Sequence, residues 1–389
     1  MRPSEFSKQQ RERLVKIPGG LWAFVPPPLP PSLPWTPALG SALAEAQRAL
    51  GVLAGVGRQL QNPHLLVKPL QRREAVASSR IENTFATVRQ LFLFEAEPTT
   101  APAGSDVREV DNYVRALEHG LQRQQKLPLC LRLIRELHAE LMAGVRGAEH
   151  TPGEFRRVQN FIGRSSQPER ATYVPPPPAA MLAALHDLEA YLNRDDDLPP
   201  LVKIAAAHYQ FEAIHPFVDG NGRTGRLLIT LMLCTERLLP QPLLYLSAFF
   251  EAHREDYYRC LLDVSRAGRW AEWVEFFLDG VRAQSDDTVR RSDALLELRR
   301  SYHQQFESAR SSALLLKLID ELFATPVMKV SQVARFLRVS TVAAQKTVEK
   351  LVGAGILVEV TGRKRHRVFA AGEILHAVAG EEPDEGDAS

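Results

Sequence analysis

The sequence predicts a mainly α protein: a helical body carrying a small β-hairpin, followed by a winged helix-turn-helix. Three observations carry this. From Pro37 to residue 308, apolar residues recur mostly at three- and four-residue steps. One stretch, Thr151 to Pro178, breaks that period with Gly153, Gly163, Pro168 and the run Pro175 to Pro178. Beyond residue 312, two helical patterns meet at a tight turn, and two strand patterns follow about a basic turn.

Composition bounds the rest. The 389 residues are 45% hydrophobic and 24% charged, with 27 Pro and 23 Gly, which excludes a disordered or collagen-like chain. No run of about 18 apolar residues occurs, so no membrane span and no membrane partner are expected. Met1 to Lys16 is polar and lacks the apolar core of a signal peptide. Net charge is only +2, so nucleic-acid binding would need a local patch. Cys130, Cys234 and Cys260 fit neither zinc nor disulfide spacing. They read as buried structural thiols of a cytoplasmic chain.

The elements follow in order. The first 35 residues read as irregular, and Phe24 to Pro34 holds six prolines. That run is expected to pack on its own domain rather than serve as a free PxxP ligand. Helical patterning then covers Pro37 to Ala96, with Ile81, Phe85, Val88, Leu91 and Phe92 in helical step. After the loop Pro98 to Ser105, helices are expected over 106–122 and 129–144. In the broken stretch, Val158 to Ile162 and Thr172 to Val174 read as strands of a hairpin. Helices resume over 179–193, 201–213, 223–236, 254–265 and 270–308. A boundary near 308 precedes a helix over 312–323, helices Ser331–Leu337 and Thr341–Val352, and strands Leu357–Val360 and Arg367–Ala370. The domains are therefore 1–105 (helical), 106–308 (core), 309–378 (winged helix-turn-helix) and 379–389, an acidic tail read as disordered.

The segment His215 to Arg226, HPFVDGNGRTGR, carries the chemistry. It is a glycine-containing loop opening into a helix, where free N–H groups and the positive dipole end favour an anion. Arg223 and Arg226 lie one turn apart on one helix face, and each guanidinium can bind phosphate oxygens bidentately. Asn221 can donate to a further oxygen. Asp219 is a hard oxygen ligand suited to Mg²⁺ on phosphates. His215 is the group able to take a proton near neutral pH. A loop that holds polyphosphate, metal and base points to phosphoryl or nucleotidyl transfer to a hydroxyl.

This segment resembles the signature of Fic-domain proteins, H-P-F-x-[DE]-G-N-G-R-x-x-R, at every defined position. The resemblance implies an all-helical Fic core and transfer of AMP from ATP to a Ser, Thr or Tyr hydroxyl of a target protein. It makes His215 the base and Asp219 the Mg²⁺ ligand. Gly220, Asn221, Gly222, Arg223, Thr224, Gly225 and Arg226 become the ATP site. Ser78-Ser79-Arg80-Ile81-Glu82-Asn83 is similar to the family's inhibitory motif, [ST]-x-x-x-E-[GN]. Ser78 and Glu82 share a helix face, so Glu82 could pair with Arg226 and keep it from the γ-phosphate. The same residues would serve removal of AMP, with Glu82 positioning water, and the sequence leaves transfer and removal open. A DNA-binding regulator with a nucleotide-sensing core is a further alternative, against which the intact His215 argues. The hairpin resembles the family's flap, with Ile162 and Gly163 registering a target strand. Tyr257 or Tyr258 would cover the nucleotide, at most one of them facing it. Ser265 would read the base. Assembly often tunes inhibition in this family, which makes a homodimer an expectation.

Between Pro326 and Ala377, nine Lys/Arg stand against three acidic residues. Residues 326–370 are therefore a candidate DNA surface, with Thr341–Val352 in the major groove. That helix offers Thr341, Gln345 and Lys346 but no Arg, so base readout is thin. Dimerisation or target docking is the competing use.

Overall fold

The computed structural model describes residues 1–380 except 60–61, 99–101, 103–104, 146–150, 164–166, 196 and 308–312. The expected boundary near 308 and nearly all of the acidic tail lie outside the described residues.

The N-terminus departs from the irregular chain expected. A short helix α1 (Lys8–Arg11) precedes an antiparallel hairpin, β1 (Leu14–Ile17) and β2 (Leu21–Phe24), with Leu14 opposite Phe24. Gly19 and Gly20 make its turn at φ 83° and 75°, which favours glycine. Each strand has only four residues and no in–out alternation, so neither stands out beside the prolines that follow. The proline run packs on its own chain: Gln210 donates to the Pro27 carbonyl at 3.0 Å and Arg194 to that of Leu29 at 3.2 Å.

The body is built from α2 (Pro37–Gln59), α3 (His64–Ile81), α4 (Val88–Ala96), α5 (Asp106–Arg123), α6 (Leu131–Leu141), α7 (Pro178–Leu192), α8 (Pro200–Ile214) and α9 (Asn221–Thr235). It is completed by α10 (Ser247–Ala252), α11 (Arg254–Ala267) and α12 (Trp270–Glu307). α8 is the centre. Nearly every residue from Leu201 to Ile214 is buried, as expected of a helix apolar on all sides. α7, α9, α11 and α12 pack around it, and Trp273 of α12 donates to the Ala205 carbonyl at 2.9 Å. α12 has 38 residues, about 57 Å of helix, and links the body to the C-terminal elements.

Those elements are α13 (Ala313–Ala324), β3 (Val327–Lys329), α14 (Val330–Leu337), α15 (Thr341–Gly353), β4 (Val358–Glu359), β5 (Val368–Ala370) and α16 (Gly372–Ala379). The strands form an antiparallel sheet in the order β3-β5-β4. The helices and the two expected strands are present. β3 and α16 are additional, and both bury apolar residues, Val327 and Ile374 among them. α13 and α16 lie against α3.

Two further expectations change. The helix through Ile81 and Phe85 is interrupted: α3 stops at Ile81, Asn83 turns left-handed (φ 59°), and Phe85 is 66% exposed. Of the cysteines, Cys260 is buried and Cys130 and Cys234 are half-buried, all as free thiols. No helix among the described residues is long and apolar enough to cross a membrane.

Candidate active site

The loop singled out by sequence joins α8 to α9. His215 ends α8 in the left-handed region (φ 50°), where a non-glycine residue is strained. Arg156 holds this turn. Its Nε donates to the His215 carbonyl at 2.8 Å, and its Nη atoms donate to the carbonyls of Val158, Pro176 and Ile214. Burial pushes His215 down to about 4, Arg156 adds to this, and Glu82, the Glu212 carbonyl and Asp219 oppose it. The imidazole is neutral at pH 7 and can accept a proton.

Gly220 (φ 73°) starts α9. The free N–H groups of the first turn face outward at the helix's positive end. Two glycines give room to glutamate side chains. A Cβ on Gly222 would collide with Glu82 and lie 2.9 Å from Arg226 Nη1, and one on Gly225 would collide with the Glu212 carboxyl. Asp219 keeps a carboxylate 52% exposed while its Oδ1 accepts from Gly220 N at 2.6 Å.

Two side chains expected on the nucleotide are instead spent on the loop. Asn221 accepts from Phe217 N at 2.8 Å and donates to Phe217 O at 2.9 Å. Thr224, fully buried, donates to Gly220 O at 2.8 Å. Gly225 likewise packs inward against α8. These residues shape the loop rather than line it.

Both arginines are engaged. Arg223, 5% exposed, lies 3.3 Å from Glu109, which also accepts from Thr84 at 2.9 Å. Arg226, 2% exposed, donates from Nε to Ser78 Oγ at 2.8 Å and from Nη2 to both Ser78 O and Glu82 Oε1 at 2.9 Å. Its Nη1 is buried and has no partner among the described residues. Burial alone would raise Glu82, but the charge and hydrogen bond of Arg226, with Arg223 and His215, hold it below the usual carboxylate range. Glu82 is the C-cap of α3 rather than a residue within it, and Asn83 accepts from Arg254 at 3.1 Å.

The flap is less regular than expected. Ile162 and Tyr173 form a single antiparallel bridge, not paired strands. The reason is competition: Arg156 and Gln159 take the carbonyls of Pro175, Pro176 and Val158, and Asn160 donates to Phe217 O at 2.8 Å. The prolines offer no N–H to a ladder. Gly163 abuts the second arm, since a Cβ there would sit 3.0 Å from Thr172 N.

The aromatic expectations divide. Tyr257 is 1% exposed, bonds His208 at 2.8 Å and stacks on Phe250, so it belongs to the core. Tyr258 is 43% exposed, with Arg254 over its ring, and is the one left able to face a nucleotide. Ser265 is buried against the Tyr209 hydroxyl at 2.9 Å and cannot read a base from there.

Two site residues escaped the sequence reading. His138 stacks on Phe217 with ring centroids 3.7 Å apart. Its Nδ1 accepts from Gly153 N at 2.9 Å, which leaves Nε2 as the donor to the Asp219 carbonyl at 3.0 Å. Burial holds it neutral, down to about 4. The available signal was a histidine on the apolar face of α6, between Ile134 and Leu141. Glu74, on α3, is buried and accepts from Tyr113 at 2.9 Å and from Ser247 N at 3.2 Å and Oγ. Burial raises it to about 7 against Ser247, Tyr113 and Arg226. Nothing in its spacing sets it apart from a solvated helical Glu.

Comparison with known proteins decides the family. Residues 41–122 match the Fic/DOC family N-terminal region, and residues 128–233 match the Fic/DOC family. The chain carries a Fic/DOC domain. The Protein adenylyltransferase Fic of Drosophila grimshawi and that of Drosophila virilis are each 40% identical to it over 111 residues, 28% of this chain and 21% of either relative. The match thus spans about a fifth of the length of these curated relatives. Among solved structures, a Fic family protein from Desulfovibrio desulfuricans G20 superposes with a TM-score of 0.55 at 23% identity, covering 88% of this chain and 98% of that one. Fic-1 (residues 134–508) of C. elegans gives 0.50 at 20% identity, covering 65% and 73%. These similarities establish a shared Fic fold.

Within that fold, the loop combines a neutral base, an anion-binding helix end, an exposed carboxylate and two buried guanidinium groups. Glu82 and Ser78 lie on the Arg226 guanidinium.

Proposed function

We propose that this Fic protein is a protein adenylyltransferase held in check by its own α3. The reading rests on one observation above all: Arg226 is hydrogen-bonded to Ser78 and Glu82 while neutral His215 stands at the other end of the same loop. The proposed substrates are ATP and a protein bearing a Ser, Thr or Tyr hydroxyl.

In the active form, the first-turn amides of α9 and the guanidinium groups of Arg223 and Arg226 hold the phosphates. His215 takes the proton of the target hydroxyl, whose oxygen attacks the α-phosphorus. The bond from that phosphorus to the bridging oxygen breaks, and pyrophosphate leaves with the electron pair. The flap about Ile162 and Gly163 registers the target segment beside His215, and Tyr258 faces the nucleoside.

Asp219 fits a Mg²⁺ requirement. Mg²⁺ is commonly bound by one or two carboxylates together with substrate phosphates, and Asp219 offers one exposed carboxylate at the anion-binding turn. Among the described residues no group of three or more acidic, His or Cys side chains is placed to hold a metal ion. When bound, the ion would neutralise charge on the phosphates.

Inhibition follows from one guanidinium serving two acceptors. With Glu82 on Nη2 and Ser78 on Nε, Arg226 offers the γ-phosphate only Nη1, and the Glu82 carboxylate repels it.

The deciding experiment incubates the purified chain with Mg²⁺ and ATP labelled at the α-phosphorus. Wild type, Glu82→Gly and Glu82→Gly/His215→Ala are compared. Label is expected in the single variant alone. Label in the double variant would remove His215 as the base, and equal label in wild type would remove Glu82 as the inhibitor. Label in none would overturn AMP transfer.

A further inference from the structure

The C-terminal module carries a charged face that the catalytic reading does not use. α14 and α15 meet at a three-residue turn, Arg338 to Ser340, in which Arg338 is left-handed (φ 58°) and Ser340 Oγ caps α15 by accepting from Ala343 N at 3.2 Å. The second helix packs inward through Ala344, Val348 and Leu351. Its first turn is left outside: Thr341 is exposed, and Val342, an apolar side chain, is 68% exposed. Lys346 and Lys350 extend the same outer face. Further along the chain, the β4–β5 turn places Arg363, Lys364, Arg365 and His366 in solvent. Nearby acids are drawn into local bonds. Glu349 accepts from Gln345 at 2.8 Å, and Glu359 accepts from Thr361 N at 2.9 Å and Gly362 N at 3.0 Å.

This geometry selects among polyanions. A helix-turn-helix presents the first residues of its second helix to base edges, and only a B-form major groove admits a helix. A-form RNA has a deep, narrow major groove that side chains cannot read. An exposed Val at the helix start suits a thymine methyl, whereas a purely ionic surface has no use for one. The basic turn lies where it can meet phosphates.

One of its arginines already has an anionic partner in the body of the protein. Glu97, the C-cap of α4, accepts from Arg363 Nη1 at 3.0 Å and from Lys329 Nζ at 3.0 Å. A phosphate that takes Arg363 Nη1 competes with Glu97 for it.

We propose that the C-terminal module binds duplex DNA, with the first turn of α15 in the major groove and the β4–β5 turn on phosphates, and that Glu97 competes with the DNA for Arg363. The site is independent of the adenylyltransferase reading.

The test uses the full chain and a fluorescent 30-base-pair DNA of mixed sequence, followed by anisotropy between about 20 and 200 mM salt. Binding is expected to weaken with a log–log slope of roughly −3 to −5, as for a few phosphate contacts. Lys364→Gln/Arg365→Gln should weaken it about tenfold or more and flatten the slope by roughly 2. Glu97→Gln should tighten binding several-fold, and that gain should vanish in Arg363→Gln. Duplex RNA of equal length should bind at least about fivefold more weakly. No binding at 20 mM salt, or a slope unmoved by the double substitution, overturns the site. Equal affinity for RNA overturns the groove assignment. An unchanged affinity in Glu97→Gln overturns the competition. Arg363, Lys364 and Arg365 are exposed and Glu97 is partly buried, and equal thermal midpoints would exclude misfolding.

Discussion

Two charged contacts flank α3 and α4, and they are built differently. At the end of α3, Arg226 is 2% exposed and receives a carboxylate, a hydroxyl and a carbonyl. At the end of α4, Glu97 meets Lys329 and Arg363, whose side chains are 20% and 49% exposed. The first is a buried, multidentate contact to a charge that has no other ready solvation. Breaking such a contact costs several kcal/mol, whereas exposed pairs contribute about 0–1 kcal/mol. The lesson is that the end of α3 can hold a functional state, while the end of α4 can only bias one.

The largest effect belongs to the site itself. His215→Ala, made in the Glu82→Gly background, is expected to slow AMP transfer about 10²- to 10⁴-fold with nucleotide still bound, measured by initial-rate labelling and by calorimetry. The pH profile tests the same residue. A base that titrates at about 4 stays neutral as pH falls from 7, so activity should hold down to about pH 5 and fall only as the solution nears that value. A loss centred near pH 6.5 would indicate an ordinary, solvated histidine.

Next is Glu74, which couples α3 to α5 and α10 through Tyr113 and Ser247. Its folded value, about 7, lies above the unfolded one of 4.5. The folded state therefore binds the proton more tightly. The stabilisation is complete below the unfolded value and disappears as pH rises through about 7. Wild type should lose on the order of 3 kcal/mol between pH 5 and 8 through this group, and Glu74→Gln should flatten that dependence in denaturant melts.

Ser78→Ala removes the Nε acceptor and keeps Glu82. A hydrogen bond to a charged group is worth about 1.5–3 kcal/mol, so self-labelling should rise roughly tenfold, less than in Glu82→Gly. An equal rise in both variants would mean that Ser78 carries the whole restraint. Smaller still is His138→Phe, which keeps the stack on Phe217 and loses both ring hydrogen bonds. Amide exchange at 219–222 should quicken, and KM for ATP should rise a few-fold with less change in kcat. His138→Gln, which restores a donor toward Asp219 O, should recover most of the loss. A change in thermal midpoint alone, with exchange and KM unmoved, would make His138 a plain core residue.

The legible and illegible parts of this molecule separate by how far each signal reaches along the chain. The helices and the His215–Arg226 loop were readable because their residues sit at short, fixed spacings, whereas the pairing of Glu82 with Arg226, 144 residues apart, was legible only through the resemblance of Ser78–Asn83 to the family's inhibitory motif. The side-chain duties of Asn221 and Thr224 were not, since a polar residue in a loop looks the same whether it faces a ligand or its own backbone. Tyr257 and Tyr258 illustrate the limit: adjacency guarantees that they diverge, but only the packing of Phe250 and His208 decides which is core. His138, Glu74 and Glu109 bond across distant parts of the chain, and no local pattern announces such partners. The flap failed for a related reason. Arg156 and Gln159 claim the carbonyls of Val158, Pro175 and Pro176, so the two arms did not become a ladder.

The contact at Glu97 supplies the smallest prediction and the sharpest check on the comparison. Arg363→Gln deletes the half-exposed partner of Glu97 and leaves Lys329 in place. Stability should change by about 1 kcal/mol or less, and the change should shrink further as salt screens the pair. If thermal melts at low salt instead show a loss of several kcal/mol, the staple is a structural anchor like the one at Arg226. Glu97 could then not yield Arg363 to a phosphate. A loss within the expected range lets it do so, because a bond this weak can be exchanged for a phosphate contact of similar strength at little net cost.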